Sequence, residues 1–214
     1  LLDMEGYVVK KWNAIKGWAP DLQEDGTVWA GGYIHDWDGN VIWTYEKASQ
    51  YRPHHAWRKM WNKKLNKWTM LAAVNRNLTQ AEMVERGWDP SITLSTQRLG
   101  AYDFFIEMTI DTNEIVWQWN PWDHLIQSKN PAWPNYIDDV KNAPGRFDIY
   151  WLTDNQQPAK SGTAGPVNDW WHVNSIDYDD DTGHICVNPK HWSDFFVIDH
   201  DKTFVSATDW AANK

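Results

Sequence analysis

The sequence predicts an all-β fold, and more specifically a β-propeller, because one hairpin pattern recurs along the chain. Each copy has a short apolar strand, an acidic turn, and a second apolar strand that ends in or near an aromatic residue. Hairpins that recur at blade-like distances are typical of propellers, whose blades are four-stranded sheets around a central channel. A β-sandwich built from the same hairpins is the alternative. The copies span residues 1–12, 33–45, 106–119 and 195–205.

The residues within each copy justify reading it as a hairpin. Asp-Gly and Asp-x-Asn sequences tolerate the positive φ that tight turns require. Val, Ile and Trp suit half-buried strands, and their alternation sorts them onto two faces. Four hairpins make about four blades or fewer, and an open arc of blades leaves sheet edges exposed. We therefore expect a further segment, a second copy of the chain or a partner chain to complete the ring.

The length of 214 residues is sufficient for one domain with a substantial core, and we expect a single partial propeller over residues 1–214. Two insertions are predicted, at about 57–90 and 120–168. The first contains a short helix, for which Thr79 is a suitable N-cap and Gly87 a suitable C-terminal stop. The second is rich in Pro, Asn, Gly and Asp.

Composition excludes several classes of function. The net charge of −9 and the pI near 5.3 argue against nucleic acid as a partner, because phosphate binding needs clustered Lys and Arg. No apolar run approaches the ~20 residues that span a bilayer. The single cysteine, Cys186, allows no disulfide within the chain. The 18 Trp indicate either packing between sheets or aromatic-lined binding surfaces.

Two histidine-bearing segments are candidate sites. His54 and His55 follow a predicted strand pair, and adjacent residues of a strand point to opposite faces, so at most one is expected to face a given site. His172 follows Trp171 and lies two residues before Asn174, where a loop meets a strand. Such junctions are a common place for functional residues. Asn174 is suited to fixing a histidine tautomer or binding an anionic oxygen. For both segments a purely structural role is the alternative.

Further polar residues suit an anion better than a metal ion. Lys190 and His191 form a local cationic pair suited to an anion, although taken alone they are better explained as a solvated turn. No His-x-x-x-His or His-Glu-x-x-His spacing occurs, and residues 179–183 resemble half a calcium loop without its downstream Glu. The sequence therefore predicts no metal site.

The chain resembles the aryl-sulfate sulfotransferase family in six stretches that follow one another in order. The resemblance implies a six-bladed propeller with its site in the central channel, in a periplasmic or extracellular protein. It also implies transfer of a sulfuryl group from a phenolic sulfate ester to a histidine and then to an acceptor phenol, with no nucleotide sulfate donor and no cofactor. The stretches are LLDMEGYVVKKW, DWDGNVIW, HHAWRKMWNKKLNKWTML, IVWQWNPWDHLIQ, DWWHVNSIDYDDDTGHICVN and FFVIDHDKTF.

The resemblance also assigns expected roles to individual residues. His172 matches a family histidine that binds the sulfuryl oxygens, and one of His54 and His55 matches the family's first site histidine. Lys190 falls near a family arginine, whose charge it keeps without the bidentate fork. The histidine that becomes sulfated is expected beyond Lys214.

The remaining candidates are less defined. His124 lies in a matched segment without a known role, and Trp171 is either a wall of an aromatic pocket or a packing residue. Two other functions stay open. One is a non-catalytic extracytoplasmic propeller that serves as a binding or assembly subunit. The other is a quinoprotein-type dehydrogenase, which would need a cofactor-stacking Trp and usually calcium.

Overall fold

The computed structural model describes residues 1–91, 100–150 and 171–201, and most of its regular structure is β-strand. The expected all-β class is therefore confirmed. In these ranges the strands form three larger antiparallel sheets, each connected in chain order, and one small parallel pair. None of the helices in the described ranges is long and apolar enough to cross a membrane.

The first sheet is a four-stranded meander in which each strand pairs with the next along the chain. The expected hairpin at 33–45 is present, and its turn is closed by the side chain of Asp36, which accepts backbone N–H bonds from Asp38 and Asn40. Gly39 in this turn has φ 90°, a conformation that glycine adopts without a steric cost. The strands are β1 (Asp21–Leu22), β2 (Val28–Ala30), β3 (Tyr33–His35) and β4 (Val41–Thr44).

The second sheet has longer strands and contains the centre of the core. Its second strand runs through Leu71, Ala72, Ala73 and Val74, all of which are fully buried. Burial of consecutive residues means that both faces of this strand are covered. The strands are β5 (Arg52–Asn62), β6 (Lys67–Leu78), β7 (Gly100–Thr109) and β8 (Ile115–Trp119), and the last two form the hairpin expected at 106–119.

Residues 57–78, which we expected within an insertion, instead lie in β5 and β6. The basic residues of this segment fit a strand because Trp61 and Trp68 pair across the hairpin, with ring centroids 5.2 Å apart. Lys59 lies over the Trp68 ring at 4.8 Å, so its aliphatic stem covers apolar surface while its charge stays near solvent.

The predicted short helix follows as α1 (Gln80–Glu85). Thr79 is its N-cap, and a reciprocal pair of bonds joins Thr79 and Glu82 in a capping box. Gly87 ends the helix with φ 98°.

The third sheet and the small parallel pair complete the described strands. The pair is β9 (Leu125–Ile126) with β10 (Phe147–Asp148), and the sheet is β11 (Val173–Asp179), β12 (His184–Pro189) and β13 (Phe196–Asp199). Residues 120–150 otherwise consist of loops and short 3-10 helices, while the rest of the expected insertion, 151–168, lies outside the described residues. The second half of the hairpin expected at 195–205 lies outside them as well. The propeller therefore stays a prediction.

Contact between the second and third sheets positions the site. Strand β11 lies against β5, and Arg58 of β5 forms an ion pair with Asp177 of β11 at 2.8 Å. This contact brings the start of β11, next to His172, toward the start of β5, where His54 and His55 lie.

Candidate functional site: a histidine cluster between two sheets

Both adjacent histidines of β5 take part in the site, although we expected only one of them to face it. The pairing of β5 with β6 shifts register between Pro53 and Trp57, and His55 has φ 42°. A register shift with a left-handed residue interrupts the alternation of side chains along a strand. Because of this bulge, His54 and His55 reach the same cluster, with ring centroids 4.5 Å apart.

The third histidine comes from the start of β11. His172 has φ 49°, and the pairing of β11 with β12 shifts register between Val173 and Ser175. The carbonyl of His172 accepts a bond from the backbone N–H of Lys190 at 3.0 Å, which ties this segment to the end of β12. Non-glycine residues with positive φ are strained and concentrate at functional sites.

The three histidine rings meet at short distances. The centroid of His172 lies 5.2 Å from that of His54 and 5.0 Å from that of His55. A nitrogen from each of the three residues lies within 4.8 Å of the others, and all three residues are half-buried. The ring of His191 also packs against that of His172, with centroids 5.3 Å apart. Solvent can therefore reach a compact group of imidazoles.

A buried carboxylate organises this cluster. Asp103 of β7 is 1% exposed, and its Oδ1 lies 2.7 Å from Nδ1 of His54. Its Oδ2 accepts the backbone N–H of Val173 at 2.7 Å. Asp103 thus orients one ring directly and anchors the chain next to His172. An ionised carboxylate only accepts hydrogen bonds, so the neutral His54 ring carries its proton on Nδ1 and has a lone pair on Nε2.

The arrangement suits two kinds of chemistry. Imidazole N–H groups can donate hydrogen bonds to the oxygens of an anion, and imidazole lone pairs can bind a transition-metal ion. The spacing rules applied to the sequence did not reveal the second option. They detect histidines a few residues apart on one element, whereas these come from segments more than 100 residues apart.

The other predicted site residues lie around or away from the cluster. Asn174 is exposed on β11, two residues beyond His172, and Lys190 is exposed at the end of β12. Trp171 is 1% exposed and stacks on Phe196 with centroids 5.5 Å apart, so it packs in the core, which is one of the two roles that the sequence left open.

His124 lies in a separate environment. It is buried and stacks on Trp119 with centroids 4.7 Å apart. Burial, together with the nearby Arg146 guanidinium, lowers the pKa of His124 to about 4, so the ring is neutral at physiological pH. It lines a cavity of about 570 Å³ with Phe147 and Trp192, and none of the clustered histidines lines that cavity.

Sequence reasoning missed Asp103, although a signal for it exists. Asp103 and Glu107 stand inside the apolar run AYDFFIEMT of β7. A charged residue in a strand that is otherwise apolar must find a partner when it is buried. Here the partners are histidines from distant segments, which the sequence does not identify.

Part of the chain matches a known protein family. The family model described as arylsulfotransferase (ASST) matches residues 90–208, which is more than half of the chain. The matched range includes Asp103, His172 and His191, and it begins after His54 and His55. A search of curated proteins found no match.

Proposed function

The chain belongs to the arylsulfotransferase family, and on this basis we propose that it transfers a sulfuryl group from a phenolic sulfate ester to an acceptor phenol. In this proposal His55 and His172 bind the non-bridging oxygens of the sulfuryl group through ring N–H groups, and His54, whose Nδ1 faces Asp103, does so when its Nε2 also carries a proton. The observation that carries the proposal is the convergence of these three rings on one half-buried point. Donors fixed around the group before it arrives stabilise the charge that it carries during transfer.

The proposed reaction has two half-reactions. In the first, a histidine nitrogen attacks sulfur, an N–S bond forms, and the ester S–O bond breaks to release a phenolate. In the second, the acceptor phenol oxygen attacks sulfur, a new S–O bond forms, and the N–S bond breaks to release the histidine. The proton of the acceptor phenol passes to solvent and balances the phenolate released in the first half-reaction. A covalent sulfo-histidine of this kind divides one difficult step into two. In this proposal the nucleophile is not one of the clustered histidines, which are assigned to binding.

Two exposed residues extend the proposed site. The backbone of Lys190 is bonded to the carbonyl of His172, so its ammonium lies on a segment tied to the cluster and would attract an anionic ester. Asn174 is proposed to donate a hydrogen bond to a sulfuryl oxygen. His124 and Trp171 are proposed to support the substrate region through packing.

The proposal includes the architecture and location that the resemblance implies. We propose that the three larger sheets are blades of one propeller domain and that the protein acts in the periplasm or outside the cell. The antiparallel meander connection of each sheet supports the first part, because it is the connection found within propeller blades.

The test is a transfer assay on the native protein. It is given 4-nitrophenyl sulfate and phenol without any nucleotide sulfate, and both 4-nitrophenolate release and phenyl sulfate formation are followed. We expect His172→Ala to lower kcat/KM by about 10² or more, the effect of removing one donor from a charge-stabilising site. His184→Ala, at an exposed histidine of β12, is the matched control and should leave the rate unchanged.

Absence of transfer from folded native protein across a range of aryl sulfates would overturn the proposal. A non-catalytic binding subunit would then be the better explanation. Equal rates in His172→Ala and His184→Ala, with transfer present, would show that the cluster does not bind the sulfuryl group.

A further inference from the structure

We propose that His54, His55 and His172 form a binding site for one divalent transition-metal ion, with Zn²⁺ as the ion that fits best. One nitrogen from each residue lies within 4.8 Å of the others. Tetrahedral Zn²⁺ with Zn–N bonds of 2.0–2.1 Å requires nitrogens about 3.4 Å apart. To bind an ion the nitrogens would therefore move closer by up to about 1.4 Å, and the partial exposure of the three residues gives an ion access from solvent.

The donor set determines the class of ion. Three neutral imidazoles suit Zn²⁺, Co²⁺, Ni²⁺ and Cu²⁺, whereas Mg²⁺ and Ca²⁺ require oxygen ligands. Three protein ligands leave one tetrahedral position for water or an anion, as in zinc sites that are not fully closed by protein.

Asp103 supplies the support that metal-binding histidines generally have. A ligating histidine usually gives its second ring N–H to a carboxylate or carbonyl, which fixes the tautomer and raises the basicity of the ligating nitrogen. Nδ1 of His54 makes this contact with Asp103 Oδ1 at 2.7 Å, so an ion would have to bind at Nε2. The other oxygen of Asp103 holds the backbone at Val173, which limits the movement of His172.

The strained backbone also favours a pre-formed site. His55 and His172 adopt positive φ values of 42° and 49°. Such conformations persist only where the surrounding structure imposes them, and here they bring two rings into the cluster. The cost of organising the ligands is thus met during folding rather than on binding the ion.

This inference goes beyond sulfuryl transfer and does not depend on it. An ion at the cluster would occupy the nitrogens that the proposed transfer uses, so the two uses exclude each other at one moment. Metal binding is measured without any sulfate ester, and its outcome is therefore independent of the transfer assay.

The experiment measures metal binding by the native protein after removal of metal with a chelator. ZnCl₂ is titrated by calorimetry, and CoCl₂ is titrated in parallel because tetrahedral Co²⁺ has a strong visible absorption. We expect one ion per chain. His172→Asn, which tolerates positive φ, should weaken binding at least 100-fold, and Asp103→Asn should weaken it about 10- to 100-fold through the loss of the supporting carboxylate.

Two controls separate the site from folding and from surface histidines. His184→Ala should bind Zn²⁺ as the unmodified protein does, and the unfolding midpoint of every variant is measured without metal. The proposal is overturned if the unmodified protein binds no stoichiometric Zn²⁺. It is also overturned if folded His172→Asn binds as tightly as the unmodified protein, or if only His184→Ala loses the ion.

Discussion

Strand β7 carries two buried carboxylates four residues apart, and each contacts a histidine from a distant part of the chain. Asp103 lies 2.7 Å from His54, and Glu107 lies 2.7 Å from Nε2 of His200. Residues at i and i+4 of a strand face the same side and lie about 13 Å apart. Each end of this face of β7 therefore carries one carboxylate–histidine pair.

The surroundings of the two carboxylates differ. Glu107 also accepts bonds from Thr69 at 2.6 Å and Asn62 at 2.7 Å, so it holds three buried partners. Burial favours a raised pKa for Glu107, but the bonds from His200, Thr69 and Asn62 outweigh it and lower the pKa. This carboxylate is therefore ionised and satisfied within the protein.

At the Asp103 end the partner histidine is half-buried and stands in a cluster. Two neighbouring histidines, His55 and His172, have positive φ, whereas His200 is not among the positive-φ residues of the described ranges. A buried carboxylate–histidine pair therefore does not by itself identify a functional site. Strained backbone and additional histidines in reach of solvent distinguish the candidate site from a link between two sheets.

The largest expected effect is a difference in the free energy of unfolding between variants of the two carboxylates. Glu107→Ala should lower the free energy of unfolding by about 3 to 5 kcal/mol, because it leaves buried polar partners without their acceptor. Asp103→Ala should lower it by about 1 to 3 kcal/mol, because it leaves the buried backbone N–H of Val173 without its acceptor, while His54 is only half-buried. Urea denaturation at neutral pH measures both.

Glu107→Gln is the control for this pair of variants. It keeps the shape of the side chain and an acceptor for Thr69 and Asn62, so it should recover most of the loss. A greater loss of stability in Asp103→Ala than in Glu107→Ala would contradict the expected order of the two effects.

His124 is a third buried or half-buried histidine, and burial is the largest cause of its lowered pKa. His124 has a pKa lowered from 6.5 to about 4, so the unfolded chain binds its proton more readily than the folded protein does. Its contribution to stability is complete above pH 6.5 and is lost as the pH falls toward 4, by about 3 kcal/mol in total.

The measurement is the urea midpoint at several pH values between 6.5 and 4. His124→Gln cannot take up a proton, so the difference in unfolding free energy between the unmodified protein and this variant should shrink as the pH falls. A difference that stays constant across this range would show that burial does not hold His124 neutral.

The smallest expected effect concerns backbone strain in the cluster. His55→Gly should leave the free energy of unfolding unchanged or raise it by up to about 1 kcal/mol, because glycine adopts a positive φ without the cost borne by histidine. His54→Gly, at a neighbour without positive φ, should instead lower it by about 1 kcal/mol or more. Equal destabilisation by both variants would show that backbone strain does not distinguish the Asp103 end of β7 from the Glu107 end.

Local features were predictable from the sequence. Thr79 and Gly87 mark the ends of α1 because capping chemistry involves residues only a few positions apart. The turn at Asp36–Asn40 was identifiable for the same reason. The hairpin of β5 and β6 was not recognised, because its basic residues indicated a surface segment rather than a strand. Its Trp residues pair across the hairpin.

The site was predictable only in part. His172, His54 and His55 were recognised as candidates from their contexts and from the family resemblance. Their meeting was not predictable, because it depends on a bulge at His55 that overrides the alternation of a regular strand.

The sequence by itself determined the all-β class, the local turns, the family and the identity of the candidate histidines. Those features depend on composition, short-range chemistry and motifs that a linear chain displays. Only the tertiary structure decided that three histidines converge, that Asp103 supports them, and that Glu107 and His200 form a buried link elsewhere. The physical reason is that each of these contacts joins residues far apart in the chain, and the packing of β11 against β5 determines which of them meet.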